Sequence, residues 1–480
     1  MLRKKIVFGV IIGVRGFFNP GLAVGDRADL YKLLDDLGVG RIALEPEATP
    51  SGAVETLADA EKLAALFRSR QDDIDGVIVM LPNFGDEQAV AETLKMAKLG
   101  VPVLVQASSD EIGKVDLAGR RDAFCGKLSV CNNLRQYGIP FTDTSSHTCD
   151  VGGPGFRRDV ADFAALCRVV RGLRSAKIGL LGVRPAAFQT VRCSEKLLQA
   201  SGIKVIPVDL SVVIAAARKV GTDEPEYRRK LEEILAYAEM DPKPEILEKI
   251  VKYTVAVERF VQNNGLDATA VQCWDSLEAN YGCGSCLTQS MMSNRLKPSA
   301  CEGDVAGAVS MLALALAAGR PAALLDWNNN YGSEPDILVA THCSNYPADF
   351  MGTRPNVGTM GVLSTSIGAE VCFGAVKGRV LPGEMTYFRL STEDAGGYIK
   401  AYVGEGEFVD LPFGMDGGIA VCRIGKMRKL FRFLCANGFE HHVAMVRTPV
   451  AHIVNEAAAN YLGWRAYWHD MPDDLDAVRL

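Results

Sequence analysis

A chain of 480 residues, 48% apolar and 23% charged, holds enough material for two or three globular domains and is neither a disordered tail nor a collagen. Its 52 basic and 58 acidic side chains leave a formal charge of −6, with the basic residues scattered, which argues against a nucleic-acid partner. No apolar run reaches the ~18–20 residues of a membrane helix, and 13 cysteines without framework spacing read as reduced thiols of a cytoplasmic protein.

Met1-Leu-Arg-Lys-Lys5 followed by an apolar stretch over 6–14 imitates a secretory signal. Arg15 and Gly16 interrupt it, and a buried first strand gives the same string, so we read a strand. A helix over 27–37 and strands over 76–81 and 101–106 follow. Continuous apolar runs between amphipathic helices indicate a parallel sheet covered on both faces. A second alternating block begins near Ser175, with strands over 176–181 and 202–208. Helices are expected over 224–240 and 244–263. The first has Asp223 as its N-cap and Pro225 in its first turn. The second carries Ile246, Ile250, Tyr253, Val257 and Val261 on one stripe.

Strand 268–272, helix 305–318 ending at Gly319, and strands 321–325 and 336–341 come next. After about residue 346, Pro, Gly, Thr and short β-branched runs predict antiparallel strands over 374–380, 385–390 and 398–404. A last helix over 450–462 stops at Gly463. The expected fold class is α/β: two Rossmann-like parallel-sheet domains (1–172 and 173–345), then a β-rich, barrel-like C-terminal domain with a final helix (346–480).

Polar groups converge between Ala268 and Asn345. Gln272, Asp326 and His342 end strands, and Glu302 stands just before a helix. In a doubly wound sheet all four face the carboxyl edge, where open α/β folds bind ligands. Two carboxylates and an imidazole there suit an Mn²⁺- or Mg²⁺-like ion, and the carboxylates can also move protons. The plainer alternative is that Glu302 caps its helix and Asp326 a turn. His441-His442 sits just before the final helix; one of the pair completes a metal site, or both are ordinary surface or core residues. Arg15 and Phe84 follow strands of the first block and are candidate ligand contacts. Arg184 and Arg192 are candidate contacts for an anionic group.

Other motifs exclude more than they assign. Cys283-Gly-Ser-Cys286 is a lone CxxC without the second pair a zinc site needs, and reads as two buried thiols in a Gly-rich turn. Gly152-Gly-Pro-Gly155 does not follow a strand and is no dinucleotide loop. The absence of a Walker sequence and a Gly-x-Ser-x-Gly elbow removes support for phosphate transfer and serine hydrolysis.

Gln272-Cys-Trp274, Tyr281-Gly-Cys-Gly-Ser-Cys286, Ala300-Cys-Glu-Gly-Asp304, Leu324-Leu-Asp326 and His441-His-Val443 follow one another in an order that resembles the L-fucose isomerase and L-arabinose isomerase superfamily. Gly383-Glu-Met-Thr386 resembles its C-terminal barrel. The resemblance implies aldose–ketose interconversion on a free monosaccharide through a cis-enediol, with a divalent metal, commonly Mn²⁺ and otherwise Mg²⁺ or Co²⁺. It implies Glu302, Asp326 and His442 as metal ligands, the two carboxylates being catalytic. Arg15, Phe84, Arg184, Gln272, Trp274, His342 and His441 remain as substrate contacts; His342 also matches a histidine that ligates in the arabinose branch. It further implies a homo-oligomer, trimer or hexamer, in which the first domain completes a neighbour's site.

The expected activity is thus a ketol isomerase. Its substrate is a modified or anionic aldose such as sulfoquinovose, or a neutral sugar of the L-fucose or D-arabinose type. The rivals are a non-catalytic sugar-binding protein, which has no need of the acidic pair, and an oxidoreductase, which lacks its dinucleotide fingerprint here.

Overall fold

The computed structural model describes residues 4–342 and 344–472. The chain divides into two compact units, Met1–Arg171 with Ala459–Gly463, and Gly172–Ala458 with Trp464–Leu480. Among the described residues no helix is long and apolar enough to cross a membrane.

The first unit is built on five parallel strands: β1 (Val7–Ile12), β2 (Gly40–Ile42), β3 (Gly76–Leu81), β4 (Val103–Ala107) and β5 (Thr142–Asp143). Their order is β2-β1-β3-β4-β5. β3 and β4 are buried at every position, which is why they read as unbroken apolar runs. The stretch that imitates a signal is β1. The helix expected from Arg27 starts earlier, at Leu22. Strand order reverses between β1 and β3, where open α/β sheets leave a crevice; Arg15 and Phe84 follow those two strands. The helix Ala123–Gln136 approaches the second of these loops closely. A Cβ on Gly126 would fall 1.5 Å from the carbonyl oxygen of Phe84.

The second unit begins with β6 (Lys177–Leu181), β7 (Lys204–Val208), β8 (Glu239–Met240), β9 (Ala268–Val271) and β10 (Ser299–Ala300). It continues with β11 (Ala322–Asp326), β12 (Asn329–Asn330), β13 (Ile337–His342), β14 (Asn356–Thr359) and β15 (Phe373–Arg379). Its last strands are β16 (Gly383–Glu393), β17 (Tyr398–Phe408), β18 (Gly418–Arg423), β19 (His442–Val446) and β20 (Arg465–Trp468). β10-β9-β6-β7 form a four-stranded parallel sheet; the other strands form a mixed, mostly antiparallel sheet of 11.

Three sequence expectations need correction. β11 and β13 are not strands of a parallel sheet: β11 runs antiparallel to β19, and β13 antiparallel to β18. A short buried apolar strand carries no mark of its direction, so periodicity alone does not separate the two cases. The helix expected over 224–240 is Pro225–Tyr237, and its N-cap is Glu224 rather than Asp223. Pro225 keeps the residue before it out of the helical region, and Glu239–Met240 leaves the helix to pair with Asn356 and Val357. The last helix is α-helical only over Ala451–Glu456 and widens into a π-turn over Ala457–Tyr461.

Candidate active site

Register places two of the polar residues opposite each other. In the β11–β19 ladder Asp326 is the direct partner of His442, and directly opposed residues of an antiparallel pair put their side chains on one face. Glu302 arrives from the end of β10, in the turn that leads into the helix Val305–Ala318. That helix is apolar all round because it is buried on every side, and Asp304 caps it, its Oδ1 accepting the Gly307 N–H at 2.8 Å. Glu302 itself has φ +61°, a left-handed conformation that costs a side-chain-bearing residue about 1 kcal/mol or more. Gly303 follows at φ +68°, where a Cβ would press on the backbone nitrogen of Arg184 at 3.0 Å.

The convergence is tight. His442 Nε2 lies 3.2 Å from Glu302 Oε2 and 3.5 Å from Asp326 Oδ1. Both oxygens are shut off from solvent and accept no hydrogen bond among the described residues. Ligand-capable atoms of Glu302, His342 and His442 all lie within 4.8 Å of one another, and so do those of Asp326, His441 and His442. Buried carboxylate oxygens without donors are costly unless something positive meets them. Carboxylates plus imidazoles, with no thiolate in either group, form a donor set suited to a Mn²⁺- or Mg²⁺-like ion. The residues therefore fit a divalent metal.

A second layer of charge holds the imidazole. His442 Nδ1 is 2.8 Å from Asp304 Oδ2. Arg389, fully buried, donates to both oxygens of Asp304, at 2.5 and 3.1 Å. Its Nε reaches Glu440 at 3.3 Å, and Glu440 also accepts the Ser391 hydroxyl at 2.7 Å. Burial pushes the Asp304 carboxyl up, but the Arg389 guanidinium and the His442 bond outweigh it and hold the group well below the usual carboxylate range. Burial lowers the His442 imidazole, yet its bond to Asp304 and the neighbouring negative charges of Glu302 and Asp326 push it up to about 9. Glu302 is likewise raised by burial and brought below its ordinary value by His442, with help from His342 and His441. An ionised Asp304 only accepts, so Nδ1 of His442 carries the proton, and in the neutral ring the Nε2 lone pair faces Glu302 and Asp326.

The other sequence candidates fall in different places. Trp274, Glu302, Asp326 and His342 line one cavity, about 580 Å³ measured out to its mouth. His342 groups with Glu302 and His442 as a possible ligand as well as a cavity wall. His441 is half exposed, its Nε2 4.0 Å from Asp326 Oδ1, and burial together with the neighbouring His442 lowers its imidazole. Gln272 is not brought to the cavity; its Oε1 accepts the Val183 N–H at 3.0 Å and ties the loop after β6. Arg184 turns back onto the carbonyls of Pro185 and Ala186, at 3.2 and 3.3 Å, and Arg192 onto Gln189 at 2.9 Å. Arg15 and Phe84 belong to the first unit. There the Arg15 guanidinium pairs with Glu87 and lies 4.5 Å from the centre of the Phe84 ring. Cys283 and Cys286 are both buried, in line with the Gly-rich turn.

Sequence reasoning passed over Asp304 as a charge partner, and Arg389 and Lys377 altogether. A signal existed for Arg389: an arginine inside the apolar run Met385-Thr-Tyr-Phe-Arg-Leu390 must find a carboxylate when the strand is buried. For Lys377, which lines the cavity and pairs with Asp416 at 2.5 Å, nothing in the string marked the position.

Comparison with known proteins agrees with this geometry. Residues 9–174 match the model of the fucose/sulfoquinovose isomerase N-terminal domain, and residues 340–469 that of the L-fucose isomerase C-terminal domain. Together the two matches cover more than half of the chain. A sulfoquinovose isomerase of Alkalicoccus urumqiensis is 24% identical over 417 residues, covering 84% of this chain and 88% of the relative. One of Priestia aryabhattai is 24% identical over 398 residues, covering 82% and 85%. Two matched domains in the expected order, with a buried acid–imidazole cluster whose histidines lie in the second, lead to one conclusion: the chain belongs to the fucose/sulfoquinovose isomerase family and is a sugar ketol isomerase.

Proposed function

We propose that the chain is a metal-dependent aldose–ketose isomerase acting through a cis-enediol, with a sulfonated aldose such as sulfoquinovose as its substrate. The observation that carries the metal site is the pair of buried oxygens, Glu302 Oε2 and Asp326 Oδ1, that converge on His442 Nε2 and accept no hydrogen bond among the described residues. Glu302, Asp326 and His442 would hold the ion, with His342 close enough to join them. When bound, a divalent ion such as Mn²⁺ supplies Lewis acidity, polarising the substrate carbonyl and raising the acidity of the neighbouring C–H.

The chain's own groups do the rest. One carboxylate of the Glu302–Asp326 pair takes the proton from C2, and the other governs protonation at C1. Asp304 and Arg389 keep His442 turned so that Nε2 stays on the carboxylate side. Trp274 forms an apolar wall of the cavity, where it limits water around the reacting carbons. The sulfonated substrate rests on the names of the relatives. Exposed Phe17, Ile112 and Leu117 on the first unit support the homo-oligomer that the resemblance implies. Light scattering should return a trimer or hexamer, and a monomer would count against it.

The test is metal removal. Chelation followed by dialysis should abolish conversion of sulfoquinovose to its ketose, and added Mn²⁺ should restore it. Full activity in the chelated protein would contradict the reading.

A further inference from the structure

Glu302, Asp326 and Asp416 give the cavity wall three carboxylates against a single full cation, Lys377. Resting on the sulfonated-aldose reading above, we propose that Lys377 is the specificity-determining residue that holds the substrate's anionic group.

Lys377 and Ala375 project from the same face of β15, two residues apart, and both line the cavity. Glu302, Asp326 and His342 line the same cavity, so the reacting end of a sugar and the lysine share one enclosure. An anion cannot sit against the two carboxylates of the reacting end without repulsion, and among the described residues Lys377 is the one lysine or arginine in the wall. Of the arginines that a sequence reader would choose, Arg184 and Arg192 are folded back onto backbone carbonyls, Arg15 pairs with Glu87 in the first unit, and none of the three lines the cavity.

Lys377 is held by Asp416 at 2.5 Å, and that bond decides the argument. The lysine side chain is 26% exposed and Asp416 57% exposed, so the pair belongs to the solvent-facing rim. Such pairs contribute little to stability. A sulfonate delivered into the cavity offers the ammonium three acceptor oxygens, while Asp416 returns to water. Asp416 is thereby a competitor of the substrate's anionic group rather than its partner. The opposite assignment, in which the Lys377–Asp416 pair grips sugar hydroxyls, makes Asp416 a direct contact. The two assignments predict opposite signs for the same substitution.

The experiment compares kcat/KM for sulfoquinovose with kcat/KM for D-glucose, which carries a hydroxyl where sulfoquinovose carries the sulfonate, in the Mn²⁺-loaded enzyme. Lys377→Met should lower the sulfoquinovose-to-glucose ratio by about 10- to 100-fold, the range expected for losing a hydrogen bond to a charged group. The loss should lie mainly in KM, and Lys377→Arg should recover most of the ratio. Asp416→Asn should leave the sulfoquinovose KM unchanged or lower. A ratio unmoved by Lys377→Met, or a sulfoquinovose KM raised by Asp416→Asn, overturns the assignment while leaving the isomerase reading intact. Wild-type enzyme that turns over glucose and ignores sulfoquinovose overturns the substrate reading itself.

Discussion

Glu302 is asked to do two incompatible things: to sit buried in a left-handed backbone conformation, and to present a carboxylate oxygen with no donor. Both cost stability, and strain of this kind persists where function requires it. Glu302→Gln keeps the backbone strain and removes the charge that pairs with His442, so the melting temperature of the metal-free protein should fall slightly, while isomerisation falls by about 10³-fold, within the range for losing a general acid–base group. A variant that retains activity would remove Glu302 from the chemistry. Behind it, Asp304 is the positioning residue for His442. Asp304→Asn should weaken Mn²⁺ binding by about 10- to 100-fold in calorimetric titration. It should also destabilise the fold by roughly 3 kcal/mol, because Arg389 loses its main counter-charge in a dry environment. An unchanged titration would show that the His442–Asp304 bond has no bearing on the metal.

At the scale of elements, the cluster is a product of register. A slip of one residue in the β11–β19 ladder would turn either Asp326 or His442 to the opposite face. The sequence shows why Asp326 and His342 were legible as strand ends: each closes a short apolar run. It does not show which strand lies beside which, and so β11 and β13 were read as parallel when they pair antiparallel with β19 and β18, more than 70 residues downstream. The Asp304–Arg389 pair was invisible for the same reason, being 85 residues apart in the chain. In the first unit, the approach of the helix Ala123–Gln136 to the Phe84 loop leaves no room for a side chain at Gly126. Gly126→Ala should lower the melting temperature by several degrees or more, by forcing this helix off the loop. An unaltered melting curve would mean that the contact yields freely.

For the whole molecule, alternation of apolar runs with amphipathic helices was enough to anticipate two parallel sheets and a β-rich C-terminal part, because parallel strands buried on both faces leave a strong mark. Gln272 and Arg184 were expected at the ligand because they close strands and loops at a carboxyl edge. The structure instead uses the first to tie a loop and folds the second onto its own backbone. Position at an edge does not fix where a long polar side chain turns. Lys377 had the opposite history: it lies mid-strand in an unremarkable stretch, and only the assembled sheet brings it to the cavity.

The central claim is proton transfer between C1 and C2 by the Glu302–Asp326 pair. It is tested most directly by NMR of the Mn²⁺-loaded enzyme with sulfoquinovose in D₂O. The account predicts solvent deuterium at C2 of the recovered aldose and at C1 of the ketose, and none of either with Glu302→Gln. Conversion to ketose with the original hydrogen fully retained would mean that C2 and C1 are not served by two separate carboxylates, and would contradict the account.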